Sequence, residues 1–322
     1  MARIIGRPHG NRRGRAGQVG RSRRCRLVKP RLQRPAVQCQ GEKALYERTR
    51  PVTTIGFLGA GQLGEPMVRR LLGAGKDVLV FARRDEVRSR LKHEGAKLAA
   101  SVPDLAARSD ILISCLFSDA QLRETGLGPD GFIAHLQHDA VFVSHTTGTL
   151  ATLRELSASS PAPPAIIDAP VSGTADDIAE GKLTVLAGGD ADALERVRPI
   201  LAAYADPIIA TGALGTALDI KLVNNMLFAA NAQLVAAAAA AGEKLNVAPD
   251  MLLRALSVCS GWSNAAAHAQ RVGGVQAFVS RAAPFLRKDV AAAISSAEQA
   301  GADLGFLRLV VENGPLPLTT EN

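Results

Sequence analysis

The sequence predicts an α/β domain with a mostly parallel sheet, followed by an all-α C-terminal domain, and three observations carry that expectation. From Thr53 onward, short apolar runs alternate with amphipathic stretches, and the first two runs are joined through a glycine-spaced turn. After Gly215 strand signals stop, and Ala- and Leu-rich stretches continue to about Val311. Strand-length apolar runs separated by helical stretches are the pattern of parallel strands joined by crossover helices. The expected limits are 1–52 for a basic leader, 53–215 for the sheet domain and 216–322 for the helical domain, with the turn glycines of TGALG at the junction.

The elements follow in order. TIGFLG reads as a first strand, AGQLGEPMVRRLLGAG as a turn opening an amphipathic helix, and KDVLVFA as a second strand. VRSRLKHEGAKL continues as helix, DILISCL as strand, AQLRETGL as helix and AVFVSH as strand; IIDAPV, LTVLAGG and PIIATG are the later strands. Gly59, Gly61 and Gly64 form G-x-G-x-x-G between the first strand and the first helix, a weak pattern alone and a specific one in this frame. In such a unit the first glycine permits the turn, the second lets backbone approach a pyrophosphate, and the third lets helix pack on strand. The loop with Ala60, Gln62 and Leu63 is therefore the candidate dinucleotide site, and the sheet domain is expected to be of the Rossmann type. Arg83 and Arg84 stand where an NAD-binding unit has its acidic ribose ligand. Two guanidiniums suit a 2′-phosphate, so NADP is expected, with Asp85 keeping NAD as the alternative.

The stretch DIKLVNN sets Lys221, Asn224 and Asn225 on one helix face, and from Ala217 to Gly242 only Asp219 and Lys221 are charged. A lysine in so apolar a helix points at something buried or into a cleft. The Ala-rich run that follows, LFAANAQLVAAAAAAGEKL, is expected to fall short of the ~18 apolar residues of a membrane span and to form a buried helix.

These segments, together with DAPVSG, EGKLTVLAGGD and FLRKDV, resemble the β-hydroxyacid dehydrogenases, the group that includes 3-hydroxyisobutyrate dehydrogenase and tartronate semialdehyde reductase within the 6-phosphogluconate dehydrogenase-like superfamily. The resemblance runs from about Thr53 to about Leu309. It implies an NADP-preferring oxidoreductase of a small hydroxyacid or semialdehyde, with another carbonyl or imine, or catalytically silent dinucleotide binding, as the alternatives. It implies that Lys221 is the general acid/base and that Asn225 orients the substrate, with Asn224 as a helper. A lysine lowered by burial to about 7–8 suits that chemistry. It implies that Ser172, Gly173 and Thr174 meet the substrate, that Thr146 and Lys288 reach cofactor or substrate, and that Trp262 contributes to the pocket. The long helix is implied to form subunit contacts, hence a homodimer.

There are departures. Thr174 stands where the family has a second glycine, TADDIAEG lacks the usual Gly-Ala step and places two carboxylates near the pocket, and Ala217 replaces a glycine.

Composition bounds the rest. The first 50 residues hold 15 of the 38 Lys+Arg and 2 of the 30 Asp+Glu, leaving 23 against 28 elsewhere, so the basic balance belongs to the leader. That leader reads as translated upstream sequence, an Arg-rich transit segment or a nucleic-acid-binding tail, and its residues do not choose among them. Cytoplasmic location is the expectation, with organellar import as the alternative. Neither a membrane nor a nucleic acid is an expected partner of the folded part. The cysteines lack paired metal-type spacing, so no metal is expected.

Overall fold

The computed structural model describes residues 53–319, and the expected leader lies outside them. The chain begins β1 (Thr54–Leu58), α1 (Gly64–Gly73), β2 (Asp77–Phe81), α2 (Asp85–His93), β3 (Lys97–Leu98), α3 (Val102–Ala107), β4 (Ile111–Ser114), α4 (Asp119–Gly126), β5 (Val141–Ser144), α5 (Leu150–Ala158) and β6 (Ala165–Asp168). It continues β7 (Val171–Ser172), α6 (Ala175–Ala179), β8 (Leu183–Gly189), α7 (Ala191–Leu201) and β9 (Ala205–Gly212). Five helices complete it: α8 (Thr216–Lys244), α9 (Pro249–Leu256), α10 (Asn264–Arg271), α11 (Val275–Ala300) and α12 (Gly305–Asn313).

The strand order β3-β2-β1-β4-β5-β6 is parallel throughout and is that of a doubly wound dinucleotide-binding sheet. Antiparallel pairing enters only where β8 meets β6 and β7, and β9 then pairs parallel with β8. Alternate residues of each central strand feed opposite cores. Ile111, Ile113, Val141 and Val143 join one cluster with Met67 and Leu71 of α1. Leu112 and Phe142 join the other with Leu122, Leu153 and Leu156 of α4 and α5. Burial on both faces explains why these strands read as continuous apolar runs.

The short β3 and the helices α3, α5, α6 and α7 were not expected. In α7 the interior Pro199 removes a helix donor and masks the signal.

The helical part is organised on α8, whose Leu222, Met226, Ala229 and Val235 share a core with Phe278, Leu286 and Val290 of α11 and Val311 of α12. With 29 residues, roughly 44 Å at helical rise, and a mean hydropathy of 1.3 over its most apolar stretch, α8 is long and apolar enough to cross a membrane by length and composition. The sequence places this helix from near Leu218 to about Ala241; it starts slightly earlier, at Thr216, and runs on to Lys244. More than half of that stretch is buried within the protein.

Candidate active site

One large cavity, about 1660 Å³, runs from the carboxyl ends of β1 and β2 to α8, α10 and α11. That exceeds the roughly 300–1,000 Å³ of a drug-sized site, which leaves space for a dinucleotide and a small second molecule. Gly59, Ala60, Gly61, Gln62, Leu63 and Gly64 line one end of it. Gly59 turns at φ +97°, where a side chain would overlap the carbonyl of Cys115, and a Cβ on Gly64 would overlap the carbonyl of Gly59. Nothing lies within 4 Å of where a Cβ on Gly61 would point. These are the three requirements of a pyrophosphate cradle, and the turn delivers a ligand to the N-terminus of α1. The cradle fits a dinucleotide.

Arg83 and Arg84 line the same cavity just beyond β2 and are exposed. Arg84 has only Glu86 at 3.9 Å, and Arg83 has no ion-pair partner among the described residues. Cys115, also in the lining, has its thiol pushed up to about 12 by burial, which keeps it protonated at neutral pH.

Lys221, Asn224 and Asn225 enter the cavity from α8. Burial lowers the amine of Lys221 below its ordinary value, while the charge of Asp289 opposes the shift and Lys288 adds to it. Asn225 is 6% exposed; its Nδ2 donates to Asp289 Oδ2 at 2.8 Å and its Oδ1 accepts from Asn224 Nδ2 at 3.2 Å. One N–H and one lone pair of the Asn225 amide remain for a substrate. Lys288 Nζ lies 3.1 Å from Asp289 Oδ1, at ion-pair distance but outside hydrogen-bond alignment.

The helix that carries these residues is anchored from the sheet. Asp168, fully buried at the end of β6, accepts hydrogen bonds from the amides of Gly215 at 2.8 Å and Leu218 at 2.9 Å. A carboxylate there satisfies first-turn donors and complements the helix dipole. Burial outweighs those bonds and raises the acid of Asp168.

Ser172, Gly173 and Thr174 line a third wall. The amide of Thr174 donates to Asp177 Oδ2 at 2.6 Å and its hydroxyl donates to the same oxygen at 2.7 Å, closing a capping box on α6. The donors of Thr174 are thus already used within the chain.

Three residues singled out from sequence are not in the cavity lining. Thr146 is buried, its hydroxyl accepting from the Leu116 amide at 3.4 Å. Lys288 donates to the Phe117 carbonyl at 3.1 Å and lies 4.9 Å from the centre of the Phe117 ring, bridging α11 to the loop after β4. Trp262 packs against the helical core. The sequence reading assigned no role to Asp289, although it lies in the quoted FLRKDV segment. It also missed the anchoring role of Asp168 in DAPVSG, whose partners are almost fifty residues away.

The profile described as the NAD binding domain of 6-phosphogluconate dehydrogenase matches residues 54–212. That described as NAD-binding of NADP-dependent 3-hydroxyisobutyrate dehydrogenase matches residues 215–313. The NAD-dependent L-serine dehydrogenase of Pseudomonas aeruginosa is 31% identical over 276 residues, spanning 81% of this chain and 93% of that protein. Mitochondrial 3-hydroxyisobutyrate dehydrogenase of Mus musculus is 28% identical over 215 residues, 66% of this chain and 64% of that protein. The structure of Mycobacterium tuberculosis 3-hydroxyisobutyrate dehydrogenase with L-serine superimposes with a TM-score of 0.69 at 27% identity, covering 81% of this chain and 92% of that one.

Proposed function

The chain belongs to the β-hydroxyacid dehydrogenase family, the NAD(P)-dependent oxidoreductases related to 3-hydroxyisobutyrate dehydrogenase, and from that premise we propose that it oxidises a small β-hydroxyacid, or reduces the matching semialdehyde, with NADP(H) and with Lys221 as the acid/base. The observation that carries this reading is the partly buried Lys221, one helical turn from Asn225, in the wall of the dinucleotide cavity. The bound nicotinamide supplies hydride acceptance in one direction and donation in the other.

The chain's own residues manage the proton. A neutral Lys221 amine takes the hydroxyl proton as the carbinol becomes a carbonyl, and the ammonium returns it in reduction. Asn225, its amide fixed by Asp289 and Asn224, holds the reacting oxygen without competing for that proton. Gly59–Gly64 and the N-terminus of α1 would hold the pyrophosphate. Preference for NADP is supported by the exposed Arg83 and Arg84 in the cavity lining; the related proteins include both an NAD-dependent enzyme and a profile named for an NADP-dependent one. We further propose a homodimer, argued below from α8.

Lys221→Ala tests the reading. NADPH affinity should stay within about twofold while turnover falls by about 10² to 10⁴ on a panel of small hydroxyacids and semialdehydes. Near-normal turnover in the folded variant sinks it. A second reading, reduction of another carbonyl or of an imine, is favoured by one observation, the occupation of the Thr174 donors by Asp177.

A further inference from the structure

We propose that the hydroxyacid carries an apolar substituent as large as an aromatic ring, and that Phe228, His268 and Phe278 form the recess that holds it beside Lys221 and Asn225. The proposal rests on the carbinol chemistry assigned to Lys221 and names what else its substrate carries.

The recess continues the reaction site along the helical wall. Lys221, Asn224, Asn225, Phe228 and Asn231 recur at three- and four-residue spacing on α8, and all of them line the cavity. The lining therefore follows α8 for nearly three turns, about 15 Å at helical rise, of which a carbinol between Lys221 and Asn225 uses the first. A dinucleotide held by the Gly59–Gly64 turn fills the sheet end of the cavity, and the space past Asn225 is left to the substrate.

Three helices supply one ring each to that space. Phe228 of α8 stands 5.7 Å from His268 of α10 and 6.1 Å from Phe278 of α11 between ring centres, and His268 stands 6.5 Å from Phe278. All three pairs are edge-to-face, the arrangement that aromatic quadrupoles favour and that fixes each ring against its neighbours. Phe278 is buried, whereas Phe228 and His268 are only partly so, and all three line the cavity. Burial and the charge of Arg271 lower His268 below its ordinary value while the charge of Asp177 opposes them, so the ring is uncharged at pH 8. That coupling to Asp177 also sets the rings beside the wall of Ser172, Gly173 and Thr174, the second wall that a substrate at Lys221 meets. Arg271 and Arg281 line the cavity too, but both are exposed, and their charges stay hydrated. A hydroxyacid with no side group would leave the ring faces to water; an apolar substituent displaces that water.

Two acids with the same carbinol and carboxylate test this, 2-benzyl-3-hydroxypropanoate and 2-methyl-3-hydroxypropanoate, each as separate enantiomers. They are titrated calorimetrically at pH 8 into the NADPH-loaded protein, where neither alcohol can be oxidised. For the better enantiomer of each, the benzyl compound should bind at least about tenfold more tightly, the low end of what burying one aromatic side chain contributes. Phe228→Ala and His268→Ala remove rings supplied by different helices, and each should lower that ratio by at least about threefold, the scale of one aromatic pair. Because the two substitutions lie on separate helices, a folding defect in one leaves the other to decide. Equal binding of the two compounds by the native protein, or a ratio unmoved in the folded variants, overturns the proposal. Turnover with NADP⁺ is read separately: tighter binding of the benzyl compound with both acids inert supports the recess and removes the proposed reaction instead.

Discussion

Asp289 acts on both functional side chains of α8 by different means, a 2.8 Å hydrogen bond to Asn225 and a charge that favours the ammonium of Lys221. The two effects separate experimentally. With the Lys221 amine lowered by burial, kcat/KM for oxidation should rise with pH to a plateau, with its midpoint below the ordinary lysine value of about 10.4. Reduction, which needs the ammonium, should fall over the same interval. Because the charge of Asp289 raises the Lys221 value, Asp289→Asn should move that midpoint to lower pH; a midpoint that stays fixed or rises would remove Asp289 from the electrostatics of the site. At the other end of the cavity, replacing Arg83 and Arg84 with neutral residues should weaken NADPH far more than NADH, since each lost bond to a charged group costs about 1.5–3 kcal/mol. Equal losses for the two cofactors, by fluorescence titration, would misplace the 2′-phosphate.

Besides the Asn225–Asp289 bond, buried polar side chains tie helix α8 to its surroundings at its start and near its middle. At its N-terminus the carboxylate of Asp168 holds the amides of Gly215 and Leu218. Two charge-assisted bonds, offset by the burial that raises this acid, put the cost of Asp168→Ala at about 3 kcal/mol, measured by urea unfolding. A loss below about 0.5 kcal/mol would mean that packing alone seats the helix. Farther along, the buried Gln233 donates from Nε2 to the carbonyls of Val311 and Leu316, and its Oε1 accepts from the Leu316 amide, all within 2.8 Å. In the sequence Gln233 interrupts an apolar run. Its bonds to α12 and to the segment after it show why a buried glutamine is tolerated there, with its polar atoms satisfied by backbone.

On the scale of the whole molecule, α8 is covered over most of its circumference and leaves one apolar stripe exposed. Ile220, Val223, Leu227 and Leu234, spaced three, four and seven apart, share one face and are each about half exposed, Leu227 at the edge of the cavity lining. An apolar stripe of this kind on the central helix of a domain marks a contact surface. For the homodimer proposed above, light scattering should give twice the 33.7 kDa chain mass at micromolar concentration. Val223→Glu combined with Leu234→Glu should return one chain mass while retaining helical content. A single-chain mass for the unaltered protein rejects the dimer.

The strand, glycine turn and helix at Thr54–Gly73, and the face shared by Lys221, Asn224 and Asn225, were legible in the sequence because each depends on neighbours within about one turn or one strand of itself. Period two, period 3.6 and the steric demands of glycine are local properties, and the family motifs are written in the same local terms. The partners of those residues were not legible. Asp289 meets Asn225 across 64 positions and Asp168 meets Leu218 across 50, distances over which only the packing of sheet against helix decides which side chains face each other. The same holds for Trp262 and Thr146, whose neighbours on the chain suit a pocket while their burial is set by the helical core and by the loop after β4. Asp177 lies between the two cases. Its spacing from Thr174 is that of a capping box and can be read locally, but only the tertiary structure puts that box in the wall of the cavity that Lys221 enters.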